Sequence, residues 1–180
     1  MSRVLITAGA SGIGWAIAQA YAREGAHVHL CDTQPAPSHP NITATLCDVT
    51  NEPALNQWLD TAIATLGGVD ILINNGGVSQ RASANDTSME VNRQLMEVNF
   101  FGNIALAKAV LPIFRAQKSG QYLVISSIAG KFGFHLRSIY SASKAALVGY
   151  YESLSMEEAA HGICVTIAFP GKINTPISTS

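Results

Sequence analysis

Tyr140 and Lys144 stand four residues apart, and Ser127 precedes Tyr140 by thirteen. On a helix the four-residue spacing puts both side chains on one face, so an ammonium lies beside a phenol and favours the phenolate. A free Tyr titrates near ~10, too high to exchange protons efficiently at neutral pH, whereas acid-base catalysis works best with a pKa close to the working pH. Lys144 would make that adjustment. Ser127 would hydrogen-bond the substrate oxygen whose proton Tyr140 exchanges. Taken alone, Tyr-x-x-x-Lys is also an ordinary helix pair, so its meaning depends on the elements around it.

Those elements are legible in the hydrophobic pattern. Gln121 to Ile125 reads as a buried strand that delivers Ser126 and Ser127, and Tyr140, Lys144, Leu147, Val148, Tyr151 and Leu154 follow with helical spacing. Val4 to Ile6 forms a first short strand. It runs into Thr7-Ala8-Gly9-Ala10-Ser11-Gly12-Ile13-Gly14, then a helix with Ile13, Ile17 and Tyr21 on one face. Glycines at such a turn let backbone approach a pyrophosphate, and the free amides and positive dipole end of the helix face the phosphates. The strand His27 to Cys31 ends at Asp32, 23 residues beyond Gly9, a spacing that suits a carboxylate on the adenosine ribose. Such a carboxylate repels a 2′-phosphate, and neither Ser11 nor Thr33 offers a compensating cation, so NAD is expected over NADP. His27 and His29 alternate with Val28 and Leu30 and read as solvent-side or hydrogen-bonded strand residues.

Three prolines, Pro35, Pro37 and Pro40, predict an irregular connection in place of the next helix. Ile42 to Cys47 is a third strand, after which Asp48 and Val49 either contact adenine or begin a turn. A helix from Thr50 or Asn51 is expected to end at Gly67-Gly68. Val69 to Ile73 then delivers Asn74, Asn75, Gly76 and Gly77 to the edge that holds the first glycine turn. There the Asn side chains can tie strands together and the glycines can admit the nicotinamide ribose. Thr87 to Gln117 shows a long helical pattern that Pro112 should bend or shorten near its end. Asn99 falls among its buried positions, either as a structural residue or holding a water chain to Lys144. A sixth strand, Ile163 to Ala168, leads to Pro170-Gly171-Lys172-Ile173-Asn174-Thr175.

At 180 residues the chain fits a single domain spanning residues 1–180. A net charge of −1 with no basic stripe argues against nucleic acid as a partner. Cys31, Cys47 and Cys164 form neither a disulfide framework nor a zinc cluster, and no paired Cys/His spacing predicts any metal site. The first strand starts within three residues of Met1, leaving no room for a signal peptide, and no apolar run approaches the ~18 residues of a span. The expectation is a soluble cytoplasmic protein with no membrane partner.

Together these motifs resemble the short-chain dehydrogenase/reductase family over essentially the whole chain. The resemblance implies an α/β doubly wound parallel sheet of Rossmann type, in three αβα layers, without the last helix and edge strand usual in the family. It implies a catalytic tetrad of Asn99, Ser127, Tyr140 and Lys144. The implied cofactor contacts are Thr7, Gly9, Ser11, Gly12, Ile13 and Gly14 in the glycine loop, Asp32, Asp48 and Val49 toward adenosine, and Asn75, Gly76 and Gly77 beside the ribose. Tyr140 and Lys144 join them there, and Pro170, Gly171, Ile173 and Thr175 lie against the nicotinamide. Hydride transfer on a small secondary alcohol or carbonyl compound by a homodimer or homotetramer is the implied activity. Ala8 stands where the family has its first glycine, and Gly76 where it has alanine. Family members continue several dozen residues past Thr175, which raises the alternative of a non-catalytic dinucleotide-binding module.

Overall fold

The computed structural model describes residues 1–173. Six parallel strands form one sheet in the order β3-β2-β1-β4-β5-β6. They are β1 Arg3–Thr7, β2 His27–Asp32, β3 Ile42–Leu46, β4 Ile71–Asn74, β5 Gly120–Ile125 and β6 Ile163–Ala168. Five longer helices connect them: α1 Gly12–Arg23, α2 Glu52–Leu66, α3 Met89–Met96, α4 Gly102–Gln117 and α5 Ser138–Glu158. The strand order is that of a doubly wound Rossmann sheet, and the order in which strands are added reverses between β1 and β4, opening a crevice at the strands' carboxyl ends.

The strands are apolar on both faces because helices cover both. On one face Trp58 and Leu55 of α2, Leu106, Val110 and Phe114 of α4, and Leu147 and Tyr151 of α5 pack on Leu5, Leu72, Tyr122 and Val124. On the other, Ala18 and Ala22 of α1 lie against Val4, Ile6, Val28, Leu30 and Ile73. The small alanines let α1 sit close to the sheet, and among the described residues it is the helix that covers this face. The helix ends follow ordinary capping. Asn51 Oδ1 accepts from the Ala54 amide at the start of α2, and Gly67 closes it at φ 74°, as its composition predicted.

The long helical segment departs from expectation. α4 runs on past Pro112 to Gln117, and the irregularity lies earlier, in a π-helical turn at Glu97–Phe101 that centres on Asn99. The stretch Met89–Gln117 is thus continuous helix, long and apolar enough by composition to cross a membrane, contrary to the sequence expectation. In this fold its apolar stripe packs in the core instead, with Leu106, Val110 and Phe114 fully buried. His29 is buried, its ring nitrogens meeting Thr43 Oγ1 at 2.7 Å and Thr45 Oγ1 at 3.1 Å, while His27 faces solvent.

Candidate active site

At the crevice the chain forms a cavity of about 480 Å³ lined by Ser11, Gly12 and Ile13 from the start of α1, Ser127 from the end of β5, and Tyr140 and Lys144 from α5. The topology explains the convergence. Each strand's carboxyl end points to the same edge, and each following helix starts there. Asn75, Gly77, Pro170, Gly171 and Ile173 line the same space. Thr175 lies outside the described residues.

The glycine turn is fixed by contact distances. A Cβ on Gly14 would fall 2.2 Å from the Ala8 carbonyl oxygen and 2.6 Å from Asn75 Nδ2, so a side chain there would drive α1 away from the sheet. Ser11 caps α1 without a side-chain hydrogen bond, and the first intrahelical bond runs from the Trp15 amide to the Ser11 carbonyl. The amides of Gly12, Ile13 and Gly14 therefore have no intrahelical acceptor, and Gly12 and Ile13 line the cavity. Such donors suit a pyrophosphate.

Other predicted contacts build the walls. Thr7 Oγ1 accepts from the Asn75 and Gly76 amides, both at 3.1 Å, and Asn75 Nδ2 donates to the Ala8 carbonyl at 2.9 Å. These bonds seam β1 to β4, as the asparagine pattern anticipated. Gly9 lies against Leu30, leaving no space for a Cβ. Asp32 Oδ2 accepts from the Ala10 amide at 3.0 Å, tying the acidic strand end to the glycine turn. Asp48 accepts from the Thr50 amide and hydroxyl and so makes a turn. Val49 packs on α4, where its carbonyl would lie 2.8 Å from a Cβ on Gly102. Neither Asp48 nor Val49 lines the cavity.

Lys144 is buried. Its Nζ donates to the Ile125 carbonyl at 3.0 Å, and burial lowers its pKa from 10.5 to about 8. Asn99 is fully buried, accepting from the Val78 amide at 2.7 Å and donating to the Val78 carbonyl and to Ser143 Oγ, both at 2.9 Å. Its side chain thus ties the loop after β4 to α5. Ser127 Oγ accepts from the Ala129 amide at 3.1 Å and still faces the cavity.

The short chain dehydrogenase family model matches residues 2–180. The chain belongs to the short-chain dehydrogenase/reductase family. This short-chain dehydrogenase/reductase is 38% identical to a dehydrogenase/reductase SDR family protein 7-like of Anopheles gambiae and 35% identical to a dehydrogenase/reductase SDR family member 7B of Xenopus laevis. The matches cover 97% of the chain but 60% and 59% of those proteins, so it spans about three fifths of their length. Among solved structures, a short-chain dehydrogenase from Streptomyces avermitilis superposes with a TM-score of 0.92 at 34% identity, covering 98% of this chain and 68% of that one. ElxO with NADP bound superposes with a TM-score of 0.91 at 27% identity over 97% of this chain and 75% of the other.

Sequence reasoning missed part of the wall of this family site. Arg81, Ile128 and Phe134 also line the cavity. Phe134 and Ile128 lie in the connection before α5, and Arg81 in the loop after β4, where no periodic pattern marks them.

Proposed function

We propose that this short-chain dehydrogenase/reductase interconverts a secondary alcohol and its ketone, with Tyr140 as general acid and base. The observation that carries the reading is one cavity in which Ser127, Tyr140 and Lys144 meet the start of α1, where no side chain takes up the helix amides. A bound nicotinamide dinucleotide would supply the hydride donor or acceptor. The residues present fit that group, because free amides, a glycine turn with no room for side chains and the Asp32 carboxylate lie along one edge.

The amides of Gly12 and Ile13 would bind the pyrophosphate, and Asp32 would accept from the adenosine ribose hydroxyls. Asp32 also favours NAD over NADP, since Thr33 to Ser38 contain no Lys or Arg to neutralise a 2′-phosphate. Tyr140 would pass a proton to the substrate oxygen in reduction and remove it in oxidation, while Ser127 Oγ holds that oxygen in place. Lys144, one helical turn beyond Tyr140, would stabilise the phenolate as a buried cation.

Replacing Tyr140 with Phe tests the assignment. Turnover of secondary alcohols should fall roughly a hundred- to ten-thousand-fold, with cofactor affinity kept in an NADH fluorescence titration. Undiminished turnover would remove Tyr140 from the role.

A further inference from the structure

The cavity lining is electrically one-sided. Among the described residues it includes Arg81, Arg137, Lys144 and Lys172 and no Asp or Glu, in a chain whose net charge is −1. Lys144 belongs to the catalytic group, but the two arginines do not. Arg137 immediately precedes α5 and stands three residues before Tyr140. One of its terminal nitrogens, Nη1, donates to Ser79 Oγ and to the Gln80 carbonyl, and the Ala82 amide donates to the Leu136 carbonyl at 3.2 Å. These bonds tie the loop after β4 to the loop before α5 and bring Arg81 to the same wall as Arg137.

Among the described residues neither guanidinium has a carboxylate within ion-pair distance. Asp86, near Arg81 in sequence, is engaged by Ser83 and Asn85 instead. Both residues line the cavity, Arg81 exposed and Arg137 half-buried, and a cavity lined by cations without an acid favours an anionic ligand. The adenosine end does not supply it. Asp32 ends β2, three strand spacings from β5, about 14 Å across the sheet at ~4.8 Å per strand. Beside the arginines lie Ile128 and Phe134, 38% and 44% exposed, large apolar groups facing a ligand space.

We propose that the substrate of this site is an anionic ketone or secondary alcohol. Arg81 and Arg137 hold its carboxylate or phosphate monoester, and its hydrocarbon lies across Ile128 and Phe134. The assignment rests on the reading of Tyr140 and Ser127 as the reacting end, and it adds a substrate class to that reading.

The test uses matched pairs with the full chain and NADH or NADPH. Benzoylpropionate is compared with its methyl ester for the carboxylate, and acetol phosphate with acetol for the phosphate. At least one anion should be reduced with a kcat/KM about 10- to 100-fold above its neutral partner, the scale of a charge-assisted hydrogen bond, and salt should shrink the gap. Whichever pair shows the gap identifies the anionic group. Arg81→Gln should raise KM for that anion by a similar factor with kcat largely kept, and Arg81→Lys should restore part of it. Equal reduction of both members of each pair would overturn the proposal and leave hydride transfer standing. Titration calorimetry on the cofactor-loaded chain separates the two readings further. An anion that binds in preference but is never reduced removes the hydride reading, and the substrate class falls with it, leaving only an anion subsite at the arginines. Failure of either anion to bind better than its neutral partner overturns the substrate class. An Arg81→Gln effect confined to cofactor affinity would do so too.

Discussion

A methyl group built on Gly76 would lie 3.7 Å from the Cβ of Ala8, in ordinary van der Waals contact across the seam between β1 and β4. They are the two positions at which the sequence resemblance expects the opposite residues, glycine in place of Ala8 and alanine in place of Gly76. The methyl has in effect crossed the seam. Ala8 stands at φ 50°, in the left-handed region, and Gly76 is not among the glycines with positive φ.

Ala8→Gly should therefore relieve left-handed strain of about 1–2 kcal/mol, offset in part by about 0.4–1 kcal/mol of unfolded-chain entropy. Gly76→Ala should stabilise by about 0.4–1 kcal/mol, since the space and the backbone both accept it. Urea unfolding of both variants checks this. A loss of stability in either would show that the seam does not tolerate the family arrangement.

Asn99 and Ser143 make a second tie, from the π-helical turn to α5. Asn99→Asp exchanges the amide that donates to the Val78 carbonyl and Ser143 for a second acceptor. The variant should lose roughly 2–3 kcal/mol of stability at neutral pH, the scale of buried polar groups left unsatisfied. Denaturant midpoints read this directly, and an unchanged midpoint would mean that the loop after β4 is held by other contacts.

Lys144 links pH to stability. Its pKa is about 8 in the folded chain against 10.5 ordinarily, so the unfolded chain binds more protons between those values and stability rises with pH through that window. Lys144→Met should consequently stabilise the protein by up to about 3 kcal/mol at pH 7, with the advantage fading between pH 8 and 10.5. Activity should be lost in the same variant, the pattern of a site kept at some expense to the fold. Thermal melts across that range decide it, and a constant difference would refute the assignment to the buried ammonium.

The proposed function gives Asp32 control of cofactor choice. Asp32→Ala should narrow the preference for NAD over NADP by about 10-fold or more, because the variant removes the half-buried carboxylate that would face a 2′-phosphate. Initial rates with the two cofactors measure it. A chain that already prefers NADP would sink the reading of Asp32.

What the amino-acid order settled by itself is local. Tyr140 and Lys144 share a face because a helix repeats every 3.6 residues, and apolar runs followed by Gly, Ser or Asn mark where strands end at the site. Those periods involve neighbours in the chain, so the family and the sheet were readable from them. Tertiary structure alone decided which partners those residues have. Asn99 meets Ser143 44 residues away, a separation no period records. Arg81 joins Arg137 only because two loops hydrogen-bond to each other. Asp48 and Val49 look alike to a pattern of strand ends, yet one makes a turn and the other packs on α4. Side-chain pairing across a fold depends on how helices seat on a sheet, and that geometry exists only once the chain has closed on itself.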